Sequence, residues 1–283
     1  MSLPELFSRL LPLLPPENAE HELLWLCSHY TGLSFAELRR QLAQKTTAAS
    51  LDQAQCTAIQ LAVQQRAAGR PLQYTTGLQP FWDFELIVNP DVLIPRWDSE
   101  TVIEQALRLL PENQPGALAD ICTGSGAYAL TLKAERPQMQ VCACDISPAA
   151  LAVARQNAAK YQLDITFFTG DLLAALPPPD KQQYDLIVSN PPYIENDADL
   201  PQDVRQEPAL ALFGGTDGLD FYRRLLADGV IDYLRPGGYL LLEIGCEQAA
   251  AVNQLLQQTG FIEIQTGQDL AGLDRWVQGR KPL

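Results

Sequence analysis

Ala117-Leu118-Ala119-Asp120-Ile121-Cys122-Thr123-Gly124-Ser125-Gly126 is the stretch that decides the fold. An apolar run of strand length passes into a glycine-rich turn, and a helix is expected behind it over 126–135. Glycines at such a turn let the backbone fold back tightly and let a ligand approach main-chain atoms. From here to the C-terminus strand and helix alternate. Strands are expected at 117–122, 140–145, 165–169, 184–189, 238–244, 261–266 and 275–279, with helices at 126–135, 148–161, 218–234 and 247–258. Runs this apolar cannot face water on either side, which indicates a mostly parallel sheet covered on both faces. The last two strands are joined only by a loop, so they are expected to form an antiparallel pair at one edge.

Upstream the pattern changes. Between Tyr74 and Pro95, Phe84, Leu86 and Val88 alternate with Glu85 and Ile87, and Asn89-Pro90-Asp91 marks a turn. This reads as a β-hairpin linking two domains. The residues before it read as helices. Asn18 is placed to cap Ala19 to Tyr30, which stops at Gly32. Ser34 with Glu37 makes a capping box for Phe35 to Lys45, and Ser50 with Gln53 opens a helix that runs to about Ala68. Short connections between such segments imply a compact bundle. The bundle is either a partner-binding module or scaffolding, and the residues favour neither.

Composition narrows the function classes. The chain has 283 residues, 47% hydrophobic and 19% charged, and no apolar run long enough to cross a bilayer. Its start, Met1-Ser2-Leu3-Pro4-Glu5, lacks the basic opening and cleavage site of a signal peptide, so a cytoplasmic protein is expected. The six cysteines, 27, 56, 122, 142, 144 and 246, include no C-x-x-C pair, and the only histidines are His21 and His29. Reduced, buried cysteines and no metal site follow. The net charge is −14; residues 1–73 balance six basic against six acidic residues, so the remainder carries all of it. Nucleic acid rewards basic surfaces through counterion release, so an acidic catalytic part argues against direct nucleic-acid binding. No feature marks self-association, and a monomer is expected.

The glycine loop gains meaning from its surroundings. Asp145 ends the next strand, 19 residues beyond Gly126. A carboxylate there can accept both hydroxyls of a ribose. Ser147 and Pro148 supply the N-cap and first turn of the following helix and so fix where Asp145 points. After the third strand come Gly170-Asp171-Leu172. Asp171 is a candidate acceptor for an adenine amino group and Leu172 a candidate packing surface for the ring, although Asp after Gly is also ordinary turn chemistry. Together Cys122, Thr123, Gly124, Ser125, Gly126, Asp145, Asp171 and Leu172 outline a nucleoside site. No lysine follows the glycines to meet a phosphate, which favours S-adenosylmethionine over a nucleotide.

Asn190-Pro191-Pro192-Tyr193 follows the apolar strand 184–189. Two prolines fix φ and remove two donors, so the turn presents carbonyls without competing N–H groups. A planar NH2 offers two hydrogens. The Asn190 side-chain oxygen and the Pro191 carbonyl can accept both, with Tyr193 stacked on the amide plane. The nitrogen lone pair of an amide is delocalised, so two acceptors that stabilise developing positive charge are what its methylation needs. Positioning against the sulfonium can be worth roughly 7–11 kcal/mol. Asn190, Pro191 and Tyr193 are the candidate catalytic residues. Pro192 joins them in holding substrate, and Asn190 also faces the cofactor.

The ordered set of motifs resembles the peptide chain release factor glutamine methyltransferases over nearly the whole chain. Beyond Asn190-Pro191-Pro192-Tyr193 it includes Gly69-Arg70-Pro71-Leu72-Gln73-Tyr74 with Gly77, Leu93-Ile94-Pro95-Arg96 with Glu100, and Asp145-Ile146-Ser147-Pro148. It continues through Glu207-Pro208, Ala211-Leu212, Gly214-Gly215, Asp217-Gly218-Leu219, Glu243-Ile244-Gly245 with Gln248, and Asp269-Leu270-Ala271-Gly272 with Arg275. The resemblance implies an α/β fold: a Rossmann-like class I S-adenosylmethionine-dependent methyltransferase sheet over 97–283, a β-hairpin linker over 74–96, and a small N-terminal helical bundle over 1–73 that recognises the release factor. It implies methylation of the glutamine in the Gly-Gly-Gln loop of class I release factors, with S-adenosylhomocysteine as by-product.

Two positions depart from the family pattern. Cys122 stands where the loop usually begins with glycine, and if the position needs positive φ the side chain costs about 1–2 kcal/mol. Trp97 stands where proline usually follows the arginine, and it is expected to cover the hairpin. Three other readings use the same residues. An adenine amino group is also a planar NH2; a ribosomal-protein glutamine is a sister substrate; and a chain whose loop had lost its cofactor would be a binding module. The acidic domain weighs against the first, the helices and the 69–77 linker against the second, and the intact Asp145 and catalytic turn against the third.

Overall fold

The computed structural model describes residues 1–44, 50–180 and 183–283. It divides into two units, Met1–Gly77 with Pro201–Gln206, and Leu78–Leu200 with Glu207–Leu283.

The first unit is helical: α1 (Leu3–Leu10), α2 (Ala19–Thr31), α3 (Phe35–Ala43), α4 (Gln53–Ala67) and α5 (Leu72–Thr76). Ser2 with Glu5 and Ser34 with Glu37 form capping boxes, and Gly32 (φ +72°) ends α2. Asn18 flanks α2 without a capping hydrogen bond. The expected cap at Ser50 is corrected to Asp52, whose carboxylate accepts from the Gln55 N–H at 2.7 Å. Asp52 offers the same spacing two residues later, with a charged acceptor that suits a helix N-terminus. Lys45, the expected end of α3, lies outside the described residues. Leu3, Leu6, Leu23, Leu24, Leu38 and Ile59 fill the interior. Arg66 pairs with Glu22 at 2.9 Å and with Asp203 at 3.7 Å, so the 201–206 segment belongs to this unit by contact as well as by position.

Tyr74 lies in α5, which Gly77 (φ +74°) terminates, rather than in the hairpin. The hairpin itself pairs β1 (Leu78–Phe81) with β2 (Phe84–Ile87). Phe81 and Leu86 enter the same core as Val102, Leu118 and Tyr128, so the hairpin is part of the second unit. Asn157 fixes it there, accepting from the Ile87 N–H at 2.7 Å and donating to the Ile87 carbonyl at 3.0 Å.

The sheet of the second unit contains β3 (Gly116–Ile121), β4 (Met139–Asp145), β5 (Thr166–Thr169), β6 (Tyr184–Ser189), β7 (Leu234–Glu243), β8 (Ile262–Gln268) and β9 (Asp274–Arg280). Their order is β5-β4-β3-β6-β7-β9-β8; β9 runs antiparallel to β7 and β8, and the other neighbours are parallel. Successive side chains of β3 alternate faces: Ala117, Ala119 and Ile121 enter one core cluster and Leu118 the other. Helices α6 (Glu100–Leu109), α7 (Ala127–Glu135), α8 (Pro148–Lys160), α9 (Ala209–Leu212), α10 (Asp220–Ala227), α11 (Val230–Tyr233) and α12 (Ala249–Gln258) complete the unit. The single helix expected over 218–234 is two, broken at Gly229 (φ +80°).

The strand order reverses direction at β3. From there the chain builds outward through β4 and β5, then returns to the other side of β3 with β6. Carboxyl-end loops diverge at such a point and leave a crevice. The loops after β3 and β6 are the glycine loop and the Asn-Pro-Pro-Tyr turn.

Candidate active site

The glycine loop is fixed by its own backbone and by carboxylates on both sides. Thr123 N–H donates to the Cys144 carbonyl at 3.0 Å, and Gly126 N–H to the Thr123 carbonyl at 2.8 Å. Gly124 (φ +54°) and Gly126 (φ +87°) supply the left-handed turns. A side chain at Gly126 would strike Leu130 and Ala154, whereas Gly124 faces open space. The Ser125 carbonyl is held by Asn157 at 2.9 Å.

Asp145 accepts from the Gly124 N–H and the Ser147 N–H, both at 2.9 Å. Ser147 in turn caps α8 through the Ala150 N–H at 3.1 Å. The carboxylate is thereby oriented from two directions. Burial raises its pKa above the ordinary value, with these backbone donors opposing the shift.

Cys122 adopts φ +62°. The left-handed conformation is therefore present at a residue with a Cβ, and the conditional cost stated from sequence applies. Burial holds its thiol well above the usual range, so it stays protonated at neutral pH. Glycine usually destabilises relative to alanine through unfolded-state entropy. Here the sign is expected to invert. Cys122→Gly should be more stable than Cys122→Ala by about 0.5–1 kcal/mol, read from urea midpoints.

Asp120 is 1% exposed at the end of β3 and accepts from Thr123 Oγ1 at 2.6 Å and the Ala129 N–H at 3.2 Å. Burial pushes its pKa up to about 7, against the lowering effect of those donors. An unfolded chain releases this proton near the ordinary aspartate value, so raising the pH from about 4 to about 7 favours unfolding. The stabilisation carried by the protonated form is complete at the acid end and lost as pH rises through 7. Asp120→Asn should flatten this part of the stability profile, measured as urea midpoints of both proteins between pH 4.5 and 8.

The loop and turn meet in one cavity of about 880 Å3, its open mouth included. Cys122, Thr123, Gly124, Ser125, Asp145, Asn190 and Pro192 all line it, together with Asp120, Tyr128, Leu93, Pro95 and Pro208. Ser189 Oγ donates to the Ile121 carbonyl at 2.7 Å and ties the two strand ends together.

Other sequence candidates stand apart from that lining. Asp171 is turned to the surface and paired with Arg224 at 2.5 Å, so its carboxylate is committed elsewhere. Leu172 (φ +48°) is buried in the core beneath the sheet. Neither lines the cavity. Gly126, Pro191 and Tyr193 also fall outside the lining. Trp97 is 58% exposed and outside the cavity.

Tyr193 points to a group that sequence reading gave no part. Its hydroxyl donates to Glu243 Oε1 at 3.3 Å, and Tyr128 donates to Glu243 Oε2. Glu243 is 1% exposed at the end of β7, and Tyr222 donates to its backbone carbonyl at 2.8 Å. Burial raises its pKa, while the two tyrosines, Ser99 and Arg275 pull the other way. Tyr128 faces the cavity from the glycine-loop side, so Glu243 joins the two halves of the site. Glu207, next to the cavity-lining Pro208, is buried, accepts from the Ile94 N–H at 2.9 Å and pairs with Arg96. Glu243 and Glu207 were both visible as motif fragments. Their partners are 50 and 113 residues away in sequence, and only the fold brings them together.

Among the described residues no group of three or more histidines, cysteines and carboxylates is placed to hold a metal ion, and no helix is long and apolar enough to cross a membrane.

Two family models match the chain: the PrmC N-terminal domain over residues 7–77 and the methyltransferase small domain over 101–207. A release factor glutamine methyltransferase of Geobacter sulfurreducens is 42% identical, over 93% of this chain and 90% of its own. One of Moorella thermoacetica is 45% identical over 92% and 89%, and one of Xylella fastidiosa 47% over 79% and 81%. Among solved structures, a methyltransferase from Pyrococcus furiosus superposes with a TM-score of 0.54 at 17% identity, covering 71% of this chain and 91% of that one; the likeness is one of fold.

Proposed function

This chain belongs to the release factor glutamine methyltransferases, and we propose that it transfers the methyl group of S-adenosylmethionine to the side-chain amide nitrogen of the glutamine in the Gly-Gly-Gln motif of class I release factors. The observation that carries the reading is that the glycine loop, Asp145, Asn190 and Pro192 line one cavity together.

The residues fit the cofactor. Asp145, held from behind by two backbone donors, keeps its outward lone pairs for a ribose diol. Gly124 lines the cavity and faces open space. Asp120 can become an anion beside a cationic ligand. Cys122, Thr123, Ser125 and Gly126 complete the loop. When bound, S-adenosylmethionine supplies an electrophilic methyl group whose sulfur leaves as a thioether.

The chain's own residues act on the acceptor. Asn190 Oδ1 and the Pro191 carbonyl accept the two amide hydrogens, turning the face of the nitrogen toward the cofactor. As nitrogen gains its bond to carbon, it becomes positive, and the same two oxygens stabilise that charge. The proton then leaves to solvent, so no strong base is required. Tyr193, anchored through Glu243, closes the amide plane. The 1–77 unit, matched by the PrmC N-terminal model over 7–77, serves release-factor recognition in this reading. The enzyme acts in the cytoplasm, as a monomer, without metal and without direct nucleic-acid contact.

The test is a competition of acceptors. Methyl-labelled cofactor is incubated with the protein and an unmethylated class I release factor, a ribosomal-protein mixture, or adenine-containing DNA and RNA. Label in the release factor alone is expected. Label in nucleic acid or ribosomal protein, with none in the release factor, would reassign the substrate.

A further inference from the structure

A turn with two consecutive prolines cannot hold itself in place through its own N–H groups. Whatever fixes it must come from outside, and in this chain one such group is a glutamine. Gln248 Nε2 donates to the Tyr193 carbonyl at 2.9 Å and to the Gly218 carbonyl at 3.3 Å. Its Oε1 accepts from the Gly245 N–H at 2.9 Å. One side-chain amide therefore ties the catalytic turn, the 214–218 loop and the end of β7. All donor and acceptor positions it uses are backbone groups that no side-chain substitution elsewhere supplies.

The neighbouring glycines show how closely the pieces are pressed. A Cβ at Gly214 would lie 2.4 Å from the Pro192 carbonyl oxygen. One at Gly218 (φ +69°) would lie 2.2 Å from the Tyr193 oxygen and 2.5 Å from Gln248 Nε2. The Ile194 N–H donates to the Leu212 carbonyl at 2.9 Å, and Gly214 N–H returns to the Ile194 carbonyl at 2.8 Å. The downstream end of the turn is thus a backbone sandwich, and Gln248 is the side chain that closes it.

The geometry points to Gln248 as a positioning residue for methyl transfer: it holds the Asn190–Tyr193 turn in register by occupying the Tyr193 and Gly218 carbonyls. It does not line the cavity. The inference rests on the proposed function for its kinetic consequence, and on geometry alone for its structural one. Gln248→Glu keeps the shape but replaces the donating NH2 with an oxygen that faces two carbonyls. Gln248→Met keeps the length without any hydrogen bond.

Both variants are measured three ways on the full chain. Amide hydrogen exchange is followed at Ile194, Asn196 and Gly214; affinity for S-adenosylhomocysteine is read by calorimetry; and single-turnover methylation is followed on a release factor. Exchange should quicken at those amides, and affinity should stay within about threefold. The methyl-transfer rate should fall on the order of 10- to 100-fold, as misplacement of a reacting group costs. Unchanged exchange overturns the inference whatever the activity. Quickened exchange with a wild-type methylation rate overturns it too, since the turn would then need no such support. Loss of cofactor affinity in step with rate would mean a general structural part instead. A wild-type protein inactive on release factors, with exchange responding as expected, would sink the substrate assignment while leaving the anchoring of the turn in place.

Discussion

Asn190→Ala is expected to lower the methyl-transfer rate on the order of 100- to 1,000-fold, while affinity for S-adenosylhomocysteine drops by no more than about tenfold. The asymmetry follows from where Asn190 sits. It lines the shared cavity at the end of β6, and Ser189 beside it ties that strand end to β3. Removing its side-chain oxygen leaves one of two acceptors for the amide hydrogens. The lost interaction strengthens as nitrogen becomes positive, so the loss falls on the transition state more than on binding. Single-turnover kinetics with calorimetry separate the two. Equal losses in rate and cofactor affinity would show that Asn190 serves the cofactor alone.

Asp145→Ala is expected to act on the other half of the site. The carboxylate does two things at once: it braces the loop through the Gly124 and Ser147 N–H groups and offers acceptors to a ribose diol. Hydrogen bonds to a charged group are worth about 1.5–3 kcal/mol each, so losing both hydroxyl contacts should weaken cofactor binding on the order of 100-fold or more. Asp145→Asn keeps the shape and should lose less. Titration calorimetry with S-adenosylmethionine checks both. Retained affinity in Asp145→Ala would remove this residue from the cofactor site and move the nucleoside elsewhere in the cavity.

Legibility in the sequence followed the range of the interactions concerned. The core strands were legible because burial on both faces writes itself as apolar runs, and β3, β4, β6 and β9 fall within a residue or so of expectation. The glycine loop and Asp145 were legible because they are neighbours along adjacent strands. Helix α6 is not among the expected elements, although Val102, Ile103 and Ala106 carry helical spacing. The cap at Asp52 was missed in favour of Ser50, two residues early, since both satisfy the same local pattern and only helix register chooses between them. The surroundings of Asp171 and Leu172 were not legible, because a residue's position after a strand does not fix its side-chain direction; Arg224 on α10 pairs with the first and the second is buried in the core. Glu243 and Gln248 were beyond reach as functional groups. They lie 50 and 55 residues from the tyrosine of the turn they support.

An unmethylated class I release factor is incubated with this protein and S-adenosylmethionine, digested, and its Gly-Gly-Gln peptide is fragmented in the mass spectrometer. The account predicts a single added methyl group, on the glutamine side chain, and its absence when Asn190→Ala replaces the wild type. A methyl group on any other residue, or an unmodified peptide from a protein that binds S-adenosylhomocysteine, would contradict it.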